Sequence, residues 1–189
     1  MCAVNSQFLN FYITQIENLS YIEFVKEFFV GESNVYPKIK GIKNNSYYQG
    51  LLQNLYSGGD GEMASFFQLT YQNFILSPFG SEHASTFAQL AEEDLLHAKH
   101  LAQAIISLGG DPAFCSTQGV WLSGRVVDYT KGVKQMVGIN IEAKEKLVID
   151  YKTTISKIDE IQIKRMLEGI LQEEEEHLSK LKSIYRAMQ

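Results

Sequence analysis

The sequence predicts an all-α domain built as a four-helix bundle, and three observations support this fold class. Only three prolines occur in 189 residues, and long stretches carry apolar residues at helical spacing. The connections between these stretches follow a short–long–short order, which is typical of a bundle with one long crossover between its second and third helices. Acidic residues and histidines also lie within the apolar stripes, where a soluble bundle needs a specific reason to place them.

The last predicted helix, residues 163–185, carries a carboxylate and a histidine on its apolar face. At 100° per residue, Glu174 and His177 fall inside the stripe and not on the polar face. The apolar members of that stripe are Ile163, Leu167, Ile170, Leu171, Leu178, Leu181 and Tyr185. Because a buried carboxylate is costly unless it is paired or bound to a metal, we expect a cation beside Glu174. A solvated face is predicted for its acidic neighbours, Glu173, Glu175 and Glu176.

The first two helices of the bundle repeat this arrangement. A helix predicted over residues 46–76 has Glu62 at the centre of its apolar face. Glycines surround this position, and they either allow a close helix approach or loosen the helix: Gly58, Gly59 and Gly61. A second helix over residues 84–108 places Asp94 and His97 on its stripe, with the spacing of Glu174 and His177.

The third helix is predicted over residues 126–156, and its inward polar residue is a base and not an acid. Its apolar stripe is centred near Lys144, while Glu142 faces away and Glu145 lies about 80° from the stripe. The preceding connection, residues 110–125, is too long for neighbours joined by a tight turn. It is long enough to cross the length of a bundle, which predicts that the second and third helices run parallel.

From about residue 46 to its end, the chain resembles the bacterioferritin–rubrerythrin group of ferritin-like proteins. The segments that carry the resemblance are GEMASFFQLTYQ, AEEDLLHAKHLAQAIISLGGDP, NIEAKEKLVIDY and LQEEEEHL. In that group two helices each supply a Glu, and two each supply Glu-x-x-His, to a pair of iron or manganese ions. By position, the resemblance implies these ligands: Glu62, Asp94, His97, Glu174 and His177.

Two departures from the family pattern concern the metal stoichiometry. Asp94 is shorter than the family's Glu, and Lys144 stands where the third helix supplies a Glu. With Lys144 inward, the charges balance one divalent ion, and the ammonium takes the place of the second. Alternatively, Glu145 swings in at a helix bulge and restores a two-metal site. The stripe favours an inward Lys144.

The resemblance implies an oxidoreductase, a peroxidase or ferroxidase, in which one or two iron or manganese ions react with oxygen or peroxide. No haem is expected, because Leu95 stands where a bacterioferritin has its haem-ligating methionine, and two cysteines are too few for a rubredoxin-type iron centre. The alternative is a non-catalytic bundle that has lost its metal chemistry and serves as an oligomeric structural or interaction module. The changes at Asp94 and Lys144 favour this alternative, whereas the intact histidines favour the enzyme.

Composition restricts the expected partners and location. A formal net charge of −5 argues against nucleic acid and against an anionic membrane surface. No apolar run reaches the ~18 residues of a membrane-spanning helix, and the N-terminal residues lack the basic start of a secretory signal. We therefore expect a cytoplasmic protein, a small oxidant as partner, and a homodimer. Residues 1–45 are predicted to form a helical extension, and residues 46–189 the bundle.

Overall fold

The computed structural model describes Tyr36 and residues 39–188, and the regular structure in this part of the chain is helical. The helices are α1 (Ser46–Ser57), α2 (Glu62–Leu76), α3 (Glu82–Ser107), α4 (Val133–Ile155) and α5 (Ile161–Ala187). Short 3-10 turns occupy Ser77–Phe79 and Gly124–Val126. The all-α, ferritin-like four-helix bundle predicted from the sequence is confirmed, with α2 to α5 as the bundle.

The predicted continuous helix over residues 46–76 is wrong, because the chain leaves the helix between α1 and α2. A Cβ at Gly58 would lie 2.4 Å from the carbonyl oxygen of Asn54, and one at Gly61 would lie 2.7 Å from that of Leu55. Only glycine can bring the backbone this close to the end of α1. The break makes Glu62 the first residue of α2, at a helix N-terminus, where a carboxylate is favoured by the helix dipole.

Contacts between helices establish their directions. The short turn at Ser77–Phe79 makes α2 and α3 an antiparallel hairpin. Along α2, Glu62 contacts Tyr151 of α4, and Gln72 contacts Asn140, which precedes Tyr151 in the chain. Since α4 is thus antiparallel to α2, helices α3 and α4 run parallel, as the length of their connection predicts.

The crossover between α3 and α4 is fixed to the bundle by side-chain amides. Gln53 of α1 donates hydrogen bonds to the carbonyl oxygens of Ala113 and Cys115, at 2.6 and 2.8 Å. Further along, Gln68 of α2 both donates to and accepts from the backbone of Asp128. These bonds satisfy polar backbone groups that a long connection would otherwise leave unpaired.

The core consists of two apolar layers with a polar layer between them. One layer lies towards the α2–α3 turn and is built from residues such as Phe87, Leu90, Met136, Val137 and Leu181. The other lies towards the α4–α5 turn and includes Leu101, Ile105, Leu147, Ile163 and Ile170. The inward polar residues of α2 to α5 fall between these layers, so they are shielded from water at both ends. In the described residues, no helix is both long and apolar enough to cross a bilayer.

Only a small part of the predicted N-terminal extension is described. Tyr36 is buried, and residues 39–45 lead into α1 without helical structure. Lys40 forms two hydrogen bonds through its backbone with the side chain of Gln162, at 3.0 and 3.1 Å. The end of this segment therefore lies on the first turn of α5. The helical structure expected for residues 1–35 lies outside the described residues.

Candidate metal centre

The polar layer brings together four acidic or imidazole side chains from three helices. Glu62 of α2, Asp94 and His97 of α3 and Glu174 of α5 each offer a ligand atom, and these atoms lie within 4.8 Å of one another. All four side chains are fully buried. Helical periodicity places them there, since each occupies a core position of its helix at the same height in the bundle. The sequence predicted this inward set correctly.

Lys144 of α4 is the fifth inward group, as its position in the stripe predicts. Its side chain is only 1% exposed, and its Nζ lies 2.7 Å from Asp94 Oδ1 and 2.6 Å from Glu174 Oε2. The ammonium therefore sits between two of the three central carboxylates. Its pKa is raised: burial by itself would lower it, but the charges of Asp94 and Glu174 outweigh that effect. Lys144 is thus a permanent internal cation of this centre.

Each histidine directs one ring nitrogen towards the central carboxylates and the other towards an outer carboxylate. His97 Nδ1 is 3.0 Å from Glu174 Oε1 and 3.5 Å from Glu62 Oε1, while its Nε2 is 2.9 Å from Glu173 Oε2. His177 behaves in the same way, with Nδ1 3.3 Å from Glu174 Oε1. An outer carboxylate that holds one ring nitrogen fixes the orientation of the other, as is usual for metal-binding histidines.

The outer carboxylates, Glu93 and Glu173, are site residues that the sequence reasoning missed. Glu173 contacts His97 across the bundle, and Glu93 contacts His177 Nε2 at 2.8 Å. The expectation that Glu173 belongs to a solvated face is therefore wrong, although it is correct for Glu175, which pairs with Lys152 on the surface. Position in the sequence was only a partial signal: each outer acid directly precedes an inward carboxylate, which places it on a flank of its helix.

The structure does not bring Glu145 to the centre. Its side chain is 47% exposed, and its Oε1 lies 2.6 Å from Nζ of Lys182 on α5. The alternative in which Glu145 swings inward at a bulge is not observed. Lys144, the preceding residue, occupies the inward position instead. Glu142 faces solvent, as the stripe predicts.

Burial and neighbouring charges shift the pKa values of the side chains in the centre. Burial alone would lower the pKa of both histidines, but the carboxylates raise the pKa of His97 well above its usual value and that of His177 to about 9. Burial raises the pKa of Glu62, and the charge of Glu174 adds to this. The pKa of Glu174 is lowered, because Lys144 and the histidines outweigh its burial. The raised pKa values of Lys144 and of both histidines favour their charged forms, which offset the charge of the central carboxylates.

The donor set fits a hard divalent cation. Glu62 Oε2 and Asp94 Oδ2 are buried without a hydrogen-bond partner. Buried polar atoms of this kind are costly unless something polar or charged meets them. Carboxylate oxygens with imidazole nitrogens are the ligands that iron and manganese use in proteins. The ammonium of Lys144 lies between Asp94 Oδ1 and Glu174 Oε2.

A tyrosine completes the inner arrangement. Tyr151 of α4 is fully buried and donates a hydrogen bond to Glu62 Oε1 at 2.5 Å. Burial, followed by the charges of Glu62 and Glu174, raises the pKa of this phenol, so its proton stays in place. One oxygen of Glu62 is therefore held by Tyr151, and the other is buried without a hydrogen-bond partner.

The fold and this centre together define a four-helix bundle with a carboxylate–histidine site. Residues 77–189, more than half of the chain, match the family model of the ferritin-like domain, so the protein belongs to the ferritin-like family. The matched range leaves out α1 and α2, and with them Glu62. A comparison with curated protein sequences gave no significant match.

Two solved structures show the same fold at low sequence identity. One is wild-type KatB, a manganese catalase from Anabaena: the TM-score is 0.70 and the identity 18%, over 80% of this chain and 77% of that chain. Another is the bacterioferritin of Rhodobacter capsulatus, with a TM-score of 0.66 and 15% identity, over 77% of this chain and 88% of that chain.

Proposed function

We propose that this protein binds one divalent iron or manganese ion and acts as an oxidoreductase on oxygen or peroxide. Glu62, His97 and Glu174 would hold the ion, with Asp94 and His177 alongside. The bound ion would supply one-electron chemistry and a polarising charge for a small oxidant. This assignment goes beyond the shared fold, and the names of a manganese catalase and a bacterioferritin among the similar structures support it.

The observation that carries the proposal is the set of buried, unpaired ligand atoms. A core that served only as an ion-pair network would be expected to satisfy its carboxylate oxygens internally. Here Glu62 Oε2 and Asp94 Oδ2 have no hydrogen-bond partner. These atoms belong to two different helices, and both become satisfied if a cation lies between them.

The protein's own groups prepare the site for the ion. Glu173 and Glu93 hold the outer nitrogens of His97 and His177, so that both Nδ1 atoms face inward. Because the pKa values of both histidines are raised, a cation at their Nδ1 atoms would compete with protons. Lys144 keeps its proton and lowers the negative charge of the centre, which favours a single ion. The apolar layers on both sides limit access of water.

Metal analysis tests the proposed stoichiometry. Metal-free protein is loaded anaerobically with Mn²⁺ or Fe²⁺, desalted, and analysed by mass spectrometry for metal per chain. We expect about one ion per chain in the wild type and about two in Lys144→Glu, because a carboxylate would replace the internal cation. Lys146→Glu, which makes the same charge change at an exposed position, is the control and should stay near one.

Metal binding and the reaction with an oxidant are tested separately. Two ions per wild-type chain would contradict the role assigned to Lys144, and no bound ion after loading would contradict metal binding altogether. Consumption of oxygen or peroxide by the loaded protein then tests the reaction, with Glu174→Gln as the variant expected to lose it. Metal binding without turnover of either oxidant would overturn the oxidoreductase.

A second candidate is a non-catalytic bundle that serves as an oligomeric or interaction module. The contacts of Lys144 with Asp94 and Glu174 favour it, because they neutralise much of the centre without a metal. This candidate predicts that loading leaves the protein without bound ions. It also predicts a defined oligomer, such as the expected homodimer, in size-exclusion chromatography with light scattering.

A further inference from the structure

Tyr36, which precedes the bundle in the chain, lies directly over the polar layer. It is 7% exposed and packs its ring edge-on against His100, with the ring centroids 4.5 Å apart. His100 is one helical turn beyond His97 on α3. The backbone hydrogen bonds of Lys40 with Gln162 hold the same segment on α5. The segment is therefore fixed on the bundle on both sides of the centre's outer edge.

Gly169 of α5 provides the space for the ring of Tyr36. A Cβ at this position would lie 2.8 Å from Tyr36 Cε1 and 3.1 Å from Cδ1. Any side chain larger than hydrogen would push the ring away from the bundle. Gly169 is four residues before Glu173, so it lies one turn away on the same face of α5. The ring of Tyr36 therefore lies within about one helical turn of Glu173, the outer carboxylate on α5.

The hydroxyl of Tyr36 is buried and has no hydrogen-bond partner in the structure. Burial raises the pKa of this phenol above its usual range, and the nearby carboxylate of Glu173 raises it further. Conversely, the pKa of Glu173 is lowered, first by its hydrogen bond with His97 and also by Tyr36. A buried hydroxyl beside a carboxylate is expected to donate to it, because the unpaired state costs free energy.

We propose that Tyr36 is a positioning residue of the metal centre, whose hydroxyl donates a hydrogen bond to Glu173 and so holds this carboxylate on His97 Nε2. The consequence for metal binding rests on the proposed function. With Glu173 fixed, the imidazole of His97 keeps its Nδ1 directed at Glu62 and Glu174. Tyr36 is then part of the site, and it covers the edge formed by α3 and α5.

His97 and His177 differ in whether a tyrosine holds the outer carboxylate, so His177 serves as an internal control for His97. Within residues 39–188, no tyrosine donates a hydrogen bond to Glu93, the outer partner of His177. Loss of the Tyr36 hydroxyl should therefore affect His97 and spare His177. A general loosening of the bundle would affect both rings, since both lie in the same polar layer.

Nuclear magnetic resonance of metal-free protein with labelled histidines tests the positioning directly. The measured quantity is the solvent-exchange rate of the Nε2 proton of each ring. In Tyr36→Phe we expect exchange at His97 to be about tenfold faster, with His177 unchanged. Gly169→Ala keeps the hydroxyl but displaces the ring, and it should have the same effect. Unchanged exchange at His97 in both variants would overturn the proposal, and so would equal acceleration at both histidines.

Titration with Mn²⁺ tests the consequence for the ion. We expect about tenfold weaker binding in Tyr36→Phe, and unchanged binding in Tyr56→Phe, a buried tyrosine remote from the centre. Equal binding by wild type and Tyr36→Phe would overturn the link to metal affinity. If the wild type binds no ion, the proposed function fails, while the exchange measurement on metal-free protein still decides whether Tyr36 positions His97.

Discussion

Lys144 differs from the surface lysines in what surrounds its ammonium group. Its Nζ is in contact with two buried carboxylates, and its charge is part of the balance of the polar layer. Lys146, two residues later on α4, has a side chain that is 63% exposed and lies 3.7 Å from Asp60. Charge pairs of the second kind contribute little to stability, because water and salt screen them.

Removal of the buried ammonium should be strongly destabilising in the metal-free protein. We expect Lys144→Met to lower the free energy of unfolding by about 3–5 kcal/mol, because it leaves buried carboxylates without their cation. The measurement is urea denaturation with a chelator present. Lys146→Met is the matched control, with an expected change within about 0.5 kcal/mol. Equal, small effects of the two substitutions would contradict the assignment of Lys144 as the internal cation.

At the scale of elements, the break between α1 and α2 determines where Glu62 lies. Three glycines occur within four residues, and two of them have backbone of the same chain where a Cβ would be. Gly59, which lies between them, would place a Cβ in open space. The break ends α1, starts α2 at Glu62 and so puts a carboxylate of the centre at a helix N-terminus.

These glycines offer a matched pair of substitutions. We expect Gly58→Ala to lower the free energy of unfolding by about 1–3 kcal/mol, because its Cβ would meet the carbonyl oxygen of Asn54 at 2.4 Å. Gly59→Ala should change it by less than about 0.5 kcal/mol. Thermal or urea denaturation of both variants is the measurement. A reversed order of the two effects would show that the chain does not turn as described.

For the whole molecule, the charges of the centre make the stability of the metal-free protein depend on pH. Burial by itself would lower the pKa of His177, but Asp94 and Glu174 outweigh burial and raise it to about 9, from a usual 6.5. The folded protein therefore holds this proton more tightly than the unfolded chain does. The resulting stabilisation is fully present below about pH 6.5 and is lost as the pH rises through about 9.

The unfolding free energy of metal-free protein should fall across this window. We expect His177 to account for a loss of about 3 kcal/mol between about pH 6 and about pH 10, and His177→Gln should make this part of the profile less steep, with His97 contributing to the slope that remains. His83→Gln, near the start of α3, is the control and should leave the slope unchanged. Urea denaturation at several pH values with a chelator gives the profile. A flat wild-type profile would contradict the raised pKa of His177.

The sequence by itself determined the fold class, the inward set and the place of Lys144. Each of these depends on helical periodicity, because a residue at the centre of an apolar stripe must face the core of a bundle. The order of short and long connections likewise determined that α3 and α4 run parallel. Periodicity within each helix is therefore enough to predict the inward position of Glu62, Asp94, His97 and Glu174.

Only the tertiary structure decided what surrounds that set. Glu93 and Glu173 lie on helix flanks, where periodicity does not distinguish solvent from a neighbouring helix, and each contacts a histidine of another helix. Tyr36 reaches the centre from outside the bundle through a gap left by Gly169, which no spacing rule indicates. Contacts between distant parts of the chain depend on how helices approach one another, and that is a property of the packed molecule.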